Sequence, residues 1–162
     1  MYFSFGGVPL FYLYQYETIL GKISIAENGE GLTHLFLSPD FSLEDVILSE
    51  TPLLKQAAFQ LTEYLEGNRT TFSLPLKPEG TLFQKKVWDA LQTIPYGETC
   101  TYKDIAVAID NPNAFRAVGM ANNKNPLPIL IPCHRVIGIK GGLTGYSWGL
   151  EIKEILLKLE HK

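Results

Sequence analysis

Residues 68–80 hold Pro75, Pro78 and Gly80 with little hydrophobic periodicity, and the pattern on either side of them differs in kind. Proline and glycine interrupt both strand ladders and helices, so this stretch reads as a connector between two units. The chain has 162 residues, 46% of them hydrophobic, which fills one substantial core or two small ones and excludes a disordered chain. Before the connector, residues 11–19, 22–26 and 32–37 are short runs rich in aromatic and β-branched side chains. Gly21 and Asn28-Gly29-Glu30-Gly31 separate them, which predicts antiparallel strands joined by tight turns. Thr51 then precedes Pro52 as a helix cap with proline at the first helical position, and Leu54, Ala58, Leu61 and Leu65 recur at helical spacing until Gly67.

Beyond the connector the chain becomes helical. Thr81 can cap a helix whose Phe83, Val87, Trp88 and Leu91 share one face, ending before Pro95-Tyr96-Gly97. A short helix over 102–109, the turn Asn111-Pro112-Asn113 and a second helix over 114–122, with Asn113 as its cap, outline a helix-turn-helix. Any αα-hairpin has the same outline, so the pattern alone leaves DNA binding open. A last helix over 148–160 places Ile152, Ile155, Leu156 and Leu159 at core spacing. The expected fold class is therefore α+β, a small amino-terminal antiparallel sheet with a helix followed by a mostly helical carboxy-terminal domain with a (winged) helix-turn-helix.

Net charge is −3, yet residues 1–79 carry 4 Lys+Arg against 10 Asp+Glu (−6) and residues 80–162 carry 10 against 7 (+3). Only the second half suits a polyanion. There is no glycine-rich phosphate loop, which leaves nucleotide hydrolysis unsupported, and no run approaching the roughly 18 apolar residues of a membrane span. The first basic residue, Lys22, comes too late for a secretory signal, so the expectation is a cytoplasmic protein. Cys100 and Cys133 are the two cysteines, too few for a disulfide framework, and each is judged as a lone thiol.

The chemistry concentrates in Leu127-Pro128-Ile129-Leu130-Ile131-Pro132-Cys133-His134-Arg135-Val136. A buried cysteine is ordinarily a small hydrophobe. Here flanking prolines fix the backbone, and an adjacent imidazole and guanidinium favour thiolate over thiol, the nucleophilic form. Neighbouring side chains do not usually face each other, so His134 is expected to act on Cys133 directly or through water. A carboxylate would orient that imidazole. Glu160 is the candidate, at the edge of the last helix's apolar stripe and on the wrong end of the helix dipole; the alternative is a solvated glutamate near a fraying end.

Ile131-Pro132-Cys133-His134-Arg135-Val136 resembles the active-site signature of the O6-alkylguanine-DNA alkyltransferases, the methylated-DNA–protein-cysteine methyltransferases. Residues 83–88, Ile94-Pro95-Tyr96-Gly97-Glu98-Thr99, Arg116-Ala117-Val118-Gly119, Asn125-Pro126 and Gly145-Tyr146-Ser147 appear in that family's order. The resemblance covers 80–162 closely and 1–79 in outline, and it implies a ribonuclease-H-like domain over 1–75 and a catalytic, DNA-binding domain over 80–162. It implies irreversible, single-turnover transfer of an alkyl group from O6-alkylguanine in double-stranded DNA to Cys133 after the nucleotide is flipped out, with O4-alkylthymine as a further candidate substrate. By the same resemblance His134 acts through water, Glu160 orients it, Tyr102 donates a proton to the leaving guanine, and Asn125 holds the active-site loop. Pro128, Val136, Tyr146 and Ser147 match the pocket, and Trp148, where some members have a small residue, narrows its mouth. Arg116 matches the arginine that fills the gap left by the flipped base, and Ala114, Ala117, Tyr102 and Arg135 complete the implied DNA-facing set. Some relatives bind zinc through amino-terminal cysteines and histidines, but residues 1–79 offer only His34, so no metal is expected, no cofactor, and a monomer. Cys100 matches no active-site position and reads as a packing residue.

Two other functions compete. A cysteine hydrolase would need an oxyanion hole and a histidine brought from elsewhere in the fold. A protein that recognises alkylated DNA without repairing it would not need Cys133.

Overall fold

The computed structural model describes residues 10–37 and 43–162, and the chain divides into two compact units, Met1–Pro78 and Glu79–Lys162. In the first, β1 (Phe11–Thr18) and β2 (Gly21–Glu27) form a hairpin in which Thr18 pairs with Gly21. The turn is closed locally: Thr18 Oγ1 donates to Gly21 O at 2.7 Å and accepts from Leu20 N at 3.1 Å. Gly21 sits at φ 106°, a conformation that glycine adopts without a Cβ clash. β3 (Leu32–Phe36) pairs antiparallel with β2, as expected for two strands joined by the Asn28-Gly29-Glu30-Gly31 turn.

A fourth strand corrects the expected all-antiparallel sheet. β4 (Val46–Leu48) runs parallel to β1 at the sheet edge, giving the order β3-β2-β1-β4. Three residues, with Ile47 and Leu48 exposed, are too short to show an alternating period.

Helix α1 (Pro52–Leu65) starts as its sequence dictates, with Thr51 Oγ1 accepting from Leu54 N at 3.2 Å and proline in the first turn. It buries Leu54, Ala57, Leu61, Tyr64 and Leu65; Ala57 rather than Ala58 is the residue on the inner face. With Leu13, Ile23, Ile25, Leu32 and Leu35 from the sheet these make an apolar core. The stretch read as a connector is partly fixed to this unit. Leu32 N donates to Pro75 O at 2.8 Å, Lys77 N donates to Leu32 O at 2.7 Å, and Gln60 holds Ser73 through two hydrogen bonds.

The second unit opens with α2 (Leu82–Leu91), whose Thr81 and Gln84 form a reciprocal capping box. Val87, Trp88 and Leu91 are buried, Phe83 only half so, and Trp88 Nε1 donates to Ala121 O at 2.9 Å. A two-residue strand β5 (Cys100–Thr101) leads into α3 (Tyr102–Ala108), capped by Thr101 with Asp104. After the turn comes α4 (Phe115–Asn123). Asn113 does not cap it: Ala114 occupies the cap position without a side-chain bond, and the chain turns instead through Ala114 N donating to Asn111 O at 2.9 Å. A 3-10 turn over Cys133–Arg135, strand β6 (Val136–Ile137) parallel to β5, and α5 (Leu150–Glu160) complete the unit.

Helix α5 differs most from expectation. It starts after Gly149 rather than at Trp148, and the side chains turned inward are Lys153, Leu156 and Glu160, while Ile155 is 41% exposed and Ile152 and Leu159 are half-buried. Charged residues win the inner face because each finds partners there, as described below. Among the described residues no helix is long and apolar enough to cross a membrane.

Candidate active site

The loop from Asn125 to Pro132 is built to hold a backbone still. Residues 127–132 are all buried, and Ile129 adopts φ 74°, a left-handed conformation that costs a β-branched residue about 1–3 kcal/mol. Asn125 supplies the compensating contacts: its Oδ1 accepts from Leu127 N at 3.0 Å and its Nδ2 donates to Ile131 O at 2.8 Å. Cys133 N then donates to Ile131 O at 2.7 Å, and Asn122 Nδ2, from the end of α4, donates to Cys133 O at 3.3 Å. The thiol is 1% exposed at the head of the 3-10 turn.

His134 and Arg135 both turn toward Glu160. His134 Nε2 lies 2.8 Å from Glu160 Oε1, and both groups are buried. A carboxylate only accepts, so Nε2 carries the hydrogen and Nδ1 is the basic nitrogen. Burial holds the His134 pKa below its ordinary value, against the opposing pull of Glu160, so the resting imidazole is neutral. Arg135 Nε donates to Glu160 Oε2 at 2.9 Å, its Nη2 to Oε1 at 2.8 Å and its Nη1 to Ile94 O at 2.7 Å, with the Tyr96 ring 5.7 Å beneath the guanidinium. One carboxylate and one guanidinium thus balance, and Pro95-Tyr96-Gly97 closes the cluster. Burial, and then the charge of Glu160, raise the Tyr96 phenol.

Two expectations are corrected here. Arg135, expected in the DNA-facing set, is buried: its guanidinium is bonded to Glu160 and Ile94 O inside the unit. The resting thiol is also not enriched in thiolate. Burial pushes Cys133 up to about 11, and the Asn125 side chain and the charge of Lys153 pull back only in part.

Lys153 is the residue that sequence reasoning missed. Its Nζ is buried and donates to Val136 O at 2.6 Å and Thr144 O at 2.9 Å, and among the described residues no carboxylate pairs with it. Burial lowers its pKa, and Cys133 is the charge that raises it again. The signal was present as spacing: Lys153, Leu156 and Glu160 lie at i, i+3 and i+7, one face of a helix, but a polar pair on that face reads as solvent-exposed when hydropathy alone assigns the core.

The remaining residues fall into two groups. Pro128, Val136 and Tyr146 are buried, Trp148 is half-buried with its ring edge-on to Tyr146 at 6.4 Å, and Ser147 is exposed. Tyr102, half-buried at the start of α3, makes its hydrogen bonds with Thr144. On α4, Arg116 and Ala117 are exposed and Ala114, just before the helix, is half-buried; the Arg116 guanidinium lies 5.9 Å over Phe115. A cleft of about 410 Å³ opens beside them, lined by Tyr102, Lys103, Pro112, Phe115 and Ile139 among others. Cys100 is half-buried in β5 and burial raises its thiol to about 11 as well. Among the described residues no group of His, Cys, Asp and Glu is arranged to hold a metal.

The same two-part organisation appears in known proteins. The family model described as "6-O-methylguanine DNA methyltransferase, DNA binding domain" matches residues 82–162, and that described as "6-O-methylguanine DNA methyltransferase, ribonuclease-like domain" matches 11–78. A methylated-DNA–protein-cysteine methyltransferase of Methanosarcina barkeri is 54% identical over 147 residues, covering 89% of this chain and 93% of its own length. The constitutive methylated-DNA–protein-cysteine methyltransferase of Bacillus subtilis is 51% identical over 151 residues, covering 89% and 92%. Among solved structures, Mycobacterium tuberculosis OGT in complex with DNA superposes with a TM-score of 0.87 at 42% identity, covering 93% of this chain and 92% of that one. With both units matched and half the residues shared along nearly the whole length, the chain belongs to the 6-O-methylguanine DNA methyltransferase family.

Proposed function

We propose that this protein repairs alkylated DNA by direct reversal, moving the alkyl group of O6-alkylguanine irreversibly onto Cys133. The observation that carries the reading is the buried Cys133 beside the His134–Glu160 pair, in a chain more than half identical to a methylated-DNA–protein-cysteine methyltransferase.

An alkyl carbon inside a duplex is beyond the reach of a buried thiol, so the base must leave the stack, at a cost of a few kcal/mol that is smaller for a badly paired lesion. The exposed Arg116 fills the vacated space, and Ala114 and Ala117 are small enough for the α4 backbone to approach the groove. The +3 charge of residues 80–162 supplies general attraction to phosphate. Pro128, Val136, Tyr146, Ser147 and Trp148 receive the base.

Because Cys133 rests as a thiol, deprotonation accompanies attack. The S–H proton passes to His134 Nδ1, directly or through water, and the imidazolium formed is held by Glu160. Sulfur then attacks the alkyl carbon, the C–O6 bond breaks as the S–C bond forms, and the purine takes its proton from Tyr102. The phenolate and the imidazolium recover neutrality by proton exchange with solvent. The thioether has no leaving group, so each molecule acts once. Lys153 sits where a developing thiolate would find a cation. The protein works as a monomer on double-stranded DNA, in the cytoplasm, without a cofactor.

The test is mass spectrometry after mixing with one equivalent of duplex containing O6-methylguanine. A single methyl mass on the Cys133 peptide is expected. Repeated turnover, a label on Cys100, or hydrolysis of activated esters would overturn the reading.

A further inference from the structure

Thr144, which no motif singled out, is where the hydrogen bonds of Tyr102 and Lys153 meet. Its Oγ1 donates to the Tyr102 phenol oxygen at 3.0 Å. Its carbonyl oxygen accepts from Lys153 Nζ at 2.9 Å and, at 3.4 Å, faces the Tyr102 hydroxyl. Lys153 also donates to Val136 O, in the strand that follows the Cys133–Arg135 turn. Thr144 therefore joins α3, which starts at Tyr102, to α5, which carries Lys153, from within the glycine-containing segment 138–149.

The two bonds to Tyr102 differ in kind. The hydroxyl-to-phenol bond lies at the long end of the ordinary range, whereas the phenol-to-carbonyl contact is beyond it and weak. Thr144 Oγ1 thus occupies one side of the phenol oxygen, and the phenol's own hydrogen is held loosely enough to be handed to another acceptor. When that hydrogen leaves, negative charge gathers on an oxygen already facing a donor, so no group must reorganise during the step. The Lys153 ammonium anchors the Thr144 backbone from the other side, and the β-branched side chain restricts where the hydroxyl can point.

We propose that Thr144 is a positioning residue for Tyr102, orienting its phenol and supplying the hydrogen bond that takes up charge as the proton passes to the purine. The inference rests on the alkyl-transfer reading above. Thr144 is exposed, and Thr144→Val keeps its shape and its carbonyl while removing only the hydroxyl. Loss of one such bond is worth about tenfold in rate.

The experiment is single-turnover transfer to Cys133, followed by mass, from O6-methylguanine free base and from duplex, for Thr144→Val, Thr144→Ser and both changes in a Tyr102→Phe background, with thermal unfolding as the check on folding. Thr144→Val should lower the saturating rate about tenfold on both substrates, with half-saturation within about twofold of the parent. Thr144→Ser should restore the rate, and Thr144→Val should add nothing once Tyr102 is Phe. A full additional loss in the Tyr102→Phe background, failure of serine to rescue, or a change confined to half-saturation would overturn the proposal while wild-type transfer stands. Absence of transfer by the wild-type protein would instead overturn the parent reading, and this inference with it.

Discussion

Glu27 and Glu160 are buried carboxylates, one in each unit, and they are partnered in opposite ways. Glu27 accepts from neutral donors, the Gly29 amide at 3.1 Å and the Thr51 hydroxyl at 2.9 Å, and so ties the turn after β2 to the cap of α1. Glu160 accepts from a guanidinium and an imidazole. The contrast extends to the rest of each unit. Among the described residues, the first unit buries the polar Ser24, Thr33, Gln60 and Glu27, whereas the second buries Asn122, Asn125, His134, Arg135, Lys153 and Glu160. Neutral donors hold a fold in place. Charged and ionisable partners, gathered in the unit that buries a thiol, are costly to desolvate and are retained where chemistry uses them.

The sharpest way to break this comparison is at sulfur. Cys133→Ala should abolish alkyl transfer while leaving binding to alkylated duplex intact, as read by mass and by a gel-shift titration; residual transfer would show that the buried cluster serves structure alone. The next test sets the two carboxylates side by side. Glu160→Gln leaves Arg135 buried without its counter-charge and should destabilise by about 3–5 kcal/mol in chemical denaturation, and it should slow alkylation per folded molecule. Glu27→Gln should cost only about 1–3 kcal/mol, with the alkylation rate unchanged. Equal losses of rate would erase the distinction between the units.

A smaller effect separates binding from chemistry inside the second unit. Arg116→Ala should lower repair of duplex by about ten- to a hundredfold, the scale of part of the few kcal/mol that flipping costs, and leave transfer from free base nearly unchanged. Equal losses on both substrates would place Arg116 in the fold or the pocket. The smallest effect is a pH dependence. Because Cys133 is raised to about 11, its reaction with iodoacetamide should climb as pH rises towards that value, and Lys153→Met should move the climb higher. The native state holds this proton more tightly than the unfolded chain, so its contribution to stability is complete below about pH 9 and is lost as pH rises through about 11. His134 works in the other direction, its pKa being lowered, so its contribution is present above the ordinary histidine value and is lost as pH falls. A thiol already ionised at neutral pH would contradict the first of these signs.

The units were not equally legible before folding. In the first, β1 to β3 and α1 follow from aromatic and β-branched runs, the turn residues between them, and Thr51-Pro52, because these signals lie within a few residues of what they decide. β4 escaped because three residues are too few to establish an alternating period. In the second, Thr81 and the Val87-Trp88-Leu91 face were readable for the same local reason, and Cys133-His134-Arg135 stood out by its own composition.

The sequence by itself determined where β1 to β3 and the main helices lie to within a residue or two, that a nucleophile sits after a proline-bounded apolar run, and that Glu160 falls at the margin of an apolar stripe. Only the tertiary structure decided that α5 turns Lys153 and Glu160 inward and Ile155 outward, that Arg135 spends its charge on Glu160, and that Thr144 links Tyr102 to Lys153. The physical reason is that hydropathy assigns a face residue by residue, whereas burial of a charge depends on a partner. His134 and Glu160 are 26 residues apart and Tyr102 and Thr144 are 42 apart, and only folding brings either pair within hydrogen-bonding distance.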